Sequence, residues 1–137
     1  MNKLKTSFLL LFLFFGVSQG FSQVFKFKTT ALSVSAKDEK GRFGDWSEFK
    51  PVSILINLDT KKSRIVIYSE AIQLFEIIEN LPAEESATDI IYSFVCKDNN
   101  GEDSTLSFIT RKNQNNRQQL YVKYENRVLA YNIINFK

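Results

Sequence analysis

The chain has 137 residues, 44% of them hydrophobic and 14% aromatic, with 18 basic residues against 15 acidic ones, one cysteine and no histidine. Without histidine, Ser-His-Asp and Cys-His nucleophile systems, the commonest general base and the usual zinc ligand sets are all excluded. With Cys96 alone, no internal disulfide can form.

Residues 1–23 read as a secretory signal peptide. Lys3 and Lys5 make a basic start, Phe8 to Phe15 an apolar run, and Gly16, Ser18, Gly20 and Ser22 a small and polar close. The apolar run is shorter than the about 20 residues that span a bilayer. A leader cleaved after Gly20 or Gln23 is therefore expected, leaving no transmembrane anchor and a periplasmic or secreted protein. Residues 24–137 then form one small all-β domain, long enough to hold a single core. Loss of Lys3 and Lys5 lowers the basic count from 18 to 16 against 15 acids, a formal +1. The remaining charges of both signs are interleaved, whereas nucleic-acid binding needs a concentrated positive field. No nucleic-acid partner is expected.

In chain order, Val24 to Lys37 opens the domain. Phe25 and Phe27 share one strand phase and Leu32, Val34 and Ala36 the opposite one, so a β-bulge or bend is expected near Thr30–Ala31. Asp38 to Gly44 is a charged connection. From Val52 to Leu58 apolar residues alternate, and a turn at Asp59–Ser63 returns the chain through Ile65 to Tyr68. Glu70 to Leu81 fits both periods: Ala71, Leu74, Phe75, Ile78 and Leu81 lie at helical spacing, while Ile72, Leu74 and Ile78 oppose Phe75 and Ile77 as in a strand. Its short links to neighbouring strands favour the strand. Leu81 to Thr88 is expected as an exposed loop. Asp89 to Arg111 has a hairpin signature, two β-branched and aromatic arms about a polar turn carrying Gly101. After an Asn/Gln-rich turn come strands at Leu120–Tyr124 and Val128–Phe136, with Asn126 expected to take a left-handed conformation in the reversal between them.

About eight strands joined mostly by hairpins form an antiparallel meander, and sheets of this size remove their edges by closing. The expected fold is all-β: a closed up-and-down barrel, with a two-layer sandwich as the alternative. Leu55, Val66, Ile91, Val95 and Ile109 lie on the minority faces of their strands. This pattern points to a partner surface or a second packed layer.

Three segments carry a resemblance: Trp46-Ser-Glu-Phe with the strand after it, Ile65 through Ile77, and Gln119–Tyr124 with Val128–Ile133. With the Asp98–Asp103 hairpin, they resemble a group of small exported bacterial all-β proteins of unassigned function. The resemblance implies continuous strand through Ile72–Ile78 and a lipocalin-like (calycin-like) barrel, and it supplies no catalytic residues.

No phosphate-binding glycine loop or nucleophile elbow is present. Asp98, Asn100, Glu102 and Asp103 alternate as calcium ligands do, but Gly101 is misplaced and no closing glutamate follows. A plain hairpin turn accounts for them. No catalytic residue, metal or cofactor is expected, and the chain reads as a non-enzyme; a carboxylate-only hydrolase is the reserve reading. Of the aromatics, Phe43, Trp46 and Phe49 flank a Gly41/Gly44 loop outside a clean strand period, and Tyr121 and Tyr131 sit on the last two strands. These five residues are the candidate ligand-binding set. The first functional reading is an exported barrel binding a small apolar or amphipathic ligand. The alternative is an envelope protein-interaction or structural module that docks through an outer apolar sheet face.

Overall fold

The computed structural model describes residues 24–136; residues 1–23, where the signal-peptide reading falls, and Lys137 lie outside the described residues. The strands are β1 (Val24–Ala36), β2 (Lys50–Pro51), β3 (Leu55–Asp59), β4 (Arg64–Ile67), β5 (Gln73–Asn80), β6 (Glu84–Glu85), β7 (Asp89–Asp98), β8 (Asp103–Arg111), β9 (Arg117–Lys123) and β10 (Arg127–Asn135). Eight of them pair antiparallel in the order β1, β3, β4, β5, β7, β8, β9, β10, and β10 pairs back onto β1. The sheet is a closed up-and-down barrel, and the sandwich alternative is set aside. β2 and β6 are short additions pairing with β1 and β7.

Closure follows from period-two burial. Ile56 and Leu58 on β3, Ile65 and Ile67 on β4, Phe75 on β5, Cys96 on β7, Leu106 and Phe108 on β8, Leu120 and Val122 on β9, and Tyr131 and Ile133 on β10 all point inward and are buried. Ile56, Ile65, Ile67, Phe75, Leu106 and Leu120 have no solvent exposure and fill the middle of the lumen. Phe27 on β1 reaches across to Phe108, ring centroids 5.3 Å apart, and Phe108 meets Phe94 edge-on at 6.1 Å.

β1 changes phase where the sequence predicts. Its register against β10 shifts between Thr29 and Ala31, so Phe27 and Thr29 pair with Asn135 and Ile133 and Leu32 and Val34 with Tyr131 and Leu129. The shift keeps apolar side chains inside on both halves of the strand. On its other edge, β3 begins only at Leu55, later than the Val52–Leu58 alternation predicts. In the gap the buried Thr29 hydroxyl donates to the Val52 carbonyl (2.9 Å) and accepts from the Ile54 N–H (2.8 Å). A side chain thus replaces ladder bonds that the bulge interrupts.

The ambiguous Glu70–Leu81 stretch forms β5 from Gln73 to Asn80, because β4 and β7 supply ladder partners on both sides. A second bulge between Ile77 and Glu79 leaves Ile78 60% exposed. The expected Leu81–Thr88 loop is exposed but contains β6. Asn126 does not take the left-handed conformation expected of it; the non-glycine residues with positive φ among those described are Ser63, Asn115 and Asn116. In the Asp98–Asp103 turn, Gly101 has φ +81°, and Asp98 Oδ1 accepts from the N–H groups of Asn100 (2.9 Å) and Glu102 (2.8 Å). Asp98 therefore caps the turn, while Glu102 pairs with Arg127 and Asp103 with Lys97.

Phe75→Ala should lower unfolding free energy by about 3–5 kcal/mol, because the filled lumen cannot collapse around the lost ring; urea unfolding followed by circular dichroism measures it. Burial pushes the Cys96 thiol up to about 12, whereas the unfolded thiol ionises near 9.0. The raised native value favours the protonated form, so this contribution to stability is intact below pH 9 and is lost as pH climbs toward 12. Burial raises the phenol pKa values of Tyr92, Tyr124 and Tyr131 as well, adding losses of the same sign above pH 10. Urea midpoints at increasing pH should fall less steeply for Cys96→Val than for the unmodified chain.

Candidate functional site

One outer flank of the barrel is covered by its own chain. After Ala36 the polypeptide turns at Asp38, whose carboxylate accepts from the N–H groups of Lys40 and Arg42. It then returns along β1, with Gly44 N donating to Ala36 O and Ser47 N to Val34 O, each at 2.9 Å. Ser33 and Ser35 point outward and are nonetheless buried, since their hydroxyls donate to the Ser47 and Gly44 carbonyls of the returning segment. Small side chains on β1 let that segment lie close. Trp46 extends from it to meet Tyr121 edge-on, with centroids 5.9 Å apart. In register between β1 and β9 sits Ala130, paired with both Ser33 and Tyr121 and only 2% exposed.

Beside this aromatic pair, Arg111 ties its own strand β8 to β7 and β9. Its Nη2 donates to Tyr121 Oη (3.3 Å), its Nε to Gln119 Oε1 (3.0 Å) and its Nη1 to Asp89 Oδ1 (3.2 Å). Gln119, only 3% exposed, passes its Nε2 to Asn132 Oδ1 at 2.9 Å. The guanidinium directs all three nitrogens to protein partners, so the cluster works as a clamp over β7 to β10.

No described segment covers the opposite outer flank. Leu55, Asn57, Val66 and Leu74 alternate with the buried Ile56, Leu58, Ile65, Ile67 and Phe75 and so point outward. Cross-strand pairing arranges these residues into two rows. One runs Ile134–Lys28–Leu55, continuing to Tyr68, whose N–H donates to Leu55 O (2.9 Å), and to Ile72 beyond the β4–β5 turn. The other runs Phe136–Lys26–Asn57–Val66–Leu74, with Phe136 N donating to Lys26 O at 2.9 Å. Six large side chains in this band are 37–57% exposed: Leu55, Tyr68, Ile72, Leu74, Ile134 and Phe136. Soluble monomers rarely leave such contiguous apolar area uncovered.

Of the five aromatics singled out from the sequence, only Trp46 and Tyr121 come together. Phe43 is 48% exposed beneath the Lys37 ammonium, 5.3 Å from its ring centroid, and Phe49 is 46% exposed just before β2. Tyr131 faces the lumen and is 2% exposed, so it lies on the other side of the sheet from Tyr121. At the barrel end carrying Val24, the inward-facing Phe25 and Tyr92 are 40% and 36% exposed. Among the described residues no group of three or more Cys, Asp or Glu side chains is placed to hold a metal ion, and no helix is long and apolar enough to cross a membrane.

Leu55 and Val66 of the apolar band are minority-face residues in the sequence. Lys26, Lys28, Tyr68, Ile72, Leu74, Ile134 and Phe136 join them only through strand register. Following one strand phase from each hairpin to the next is the signal that would have found them.

Comparisons with protein-family models, curated proteins and solved structures find no match to the chain. Its class rests on the closed eight-stranded antiparallel sheet.

Gln119→Ala should cost roughly 1–3 kcal/mol by leaving Arg111 Nε and Asn132 Oδ1 without their buried partner. The exposed Arg117→Ala should change stability by less than about 0.5 kcal/mol. Urea unfolding of the two variants side by side separates the clamp from general surface effects.

Proposed function

We propose that the protein is an exported, non-enzymatic docking module that binds another envelope component through the outer face of β1, β3, β4 and β5. The observation supporting this is the two-row band of exposed Leu55, Tyr68, Ile72, Leu74, Ile134 and Phe136. An interface core is rich in large apolar and aromatic side chains and poor in acidic ones, and this band has that composition. The lumen is a weaker candidate for the same work, because fully buried side chains occupy its middle. A second reading, a small amphipathic ligand, draws support from the half-exposed Phe25 and Tyr92 above the Phe27–Phe108–Phe94 ring layer. Such a ligand would sit in a shallow mouth, away from Trp46.

A photo-crosslinking amino acid placed at Ile72, and at Lys123 on the clamped flank as control, tests the docking reading in the producing cells. Discrete adducts from position 72 and none from position 123 are expected. Equal labelling at both positions, or none at either, rejects docking through this face. Native mass spectrometry of the mature chain decides the second reading by whether a non-covalent mass travels with it.

A further inference from the structure

Resting on that docking reading, we propose that the occupant of the band is an extended, alternating apolar and acidic segment of another polypeptide. Charge is the first ground. Lys28 pairs in register with Ile134 on one side and Leu55 on the other, and Lys26 lies between Phe136 and Asn57. Neither row contains an Asp or Glu, and neither lysine forms an ion pair with a described residue. Lys28 is already half-buried among its neighbours. Covering it with a purely apolar partner would strand a desolvated ammonium, whereas a carboxylate in the partner would neutralise it.

Shape is the second ground. The band crosses β10, β1, β3, β4 and β5, four of the eight inter-strand steps of the barrel, and so curves around half the circumference. A planar bilayer touches only the strands tangent to it. Four inter-strand steps of about 4.8 Å make a path near 19 Å, which about six extended residues span. The two rows lie about 7 Å apart along the strands, a width that one extended chain covers with its side chains.

A second copy of this chain fits poorly. In an isologous pair the same patch meets itself, bringing two lysines from each copy into an interface to which neither row contributes an acid. The complementary surface is therefore apolar with carboxylates at alternate positions, so that hydrophobic side chains meet Ile134, Leu55 and Ile72 while the acids reach the two lysines.

The test uses the chain from Val24 to Lys137 and three fluorescein-labelled peptides of about six residues, the span of the band. In them Leu alternates with Asp, with Ser or with Lys, and binding is read by fluorescence anisotropy. At low ionic strength the Asp peptide should bind about tenfold or more tightly than the Ser peptide, and this preference should shrink in about 0.5 M salt. Amide shifts on titration should map to the two rows. The double variant Lys26→Glu/Lys28→Glu, with an unchanged circular dichroism spectrum, should transfer the preference to the Lys peptide. That reversal is a readout a structural role of the lysines would not produce. Equal behaviour of the Asp and Ser peptides, bound or unbound, overturns the inference; if adducts still form at position 72, docking survives and only its acidic character fails. Cosedimentation with vesicles of phosphatidylglycerol and phosphatidylcholine at about 3:7, without Asp-peptide preference, overturns it in favour of an anionic membrane surface.

Discussion

The structure depends on β1 pairing along both of its edges. It holds β10 through Phe27–Ala36 and β3 through Val24–Lys28, and those contacts turn an eight-stranded meander into a barrel. One strand can serve both neighbours because it is 13 residues long and bulged at its centre. Without the phase change after Thr29, either Phe27 or the Leu32–Val34 pair would face water. The Thr29 hydroxyl then ties down the chain at Val52 and Ile54, where the bulge leaves backbone groups without ladder partners. Core filling, register and the route of the long 37–54 connection all follow from this strand.

The same connection makes the two flanks of the barrel unlike. On the side of β8, β9 and β10, Trp46, Tyr121 and the Arg111 cluster give the sheet a second layer, and the outward Ser107, Ile109 and Ala130 are buried. On the side of β3, β4 and β5 no described segment performs this service. Apolar residues on both faces of a strand thus have two meanings in one molecule: Ile109 is covered internally, and Leu55 is left 40% exposed.

Much of the fold was legible in the sequence because period-two patterns are local. The bulge after Thr29, the Gly101 hairpin and the succession of short links could all be read from neighbouring residues. Strand β5 was legible only as one of two options, since Leu74, Phe75 and Ile78 satisfy helical spacing as well; ladder bonds to β4 and β7 decide it. The late start of β3 was hidden because a threonine 25 residues before Ile54 takes over the hydrogen bonding. The candidate sites were legible in fragments. Trp46 and Tyr121 meet as partners 75 positions apart, but Tyr131 turns inward because Tyr131 pairs with the buried Leu120. Lys26, Lys28 and Ile72 carry no local mark, and their grouping exists only in register.

The seam between β1 and β10 joins residues roughly 100 positions apart in the chain. Five of the seven other barrel pairings are hairpins between consecutive strands and can form locally, but this one must wait for β10. Until then the unfinished sheet exposes two free edges and half a lumen, which is the state most open to misassociation. Closure therefore needs both β1 and β10: a segment that stops short of β10 leaves β1 and β9 with free edges. Of all the pairings in the barrel, the β1–β10 seam carries the largest loop-closure cost. A chain held extended until β10 is available would pass through that vulnerable stage only once.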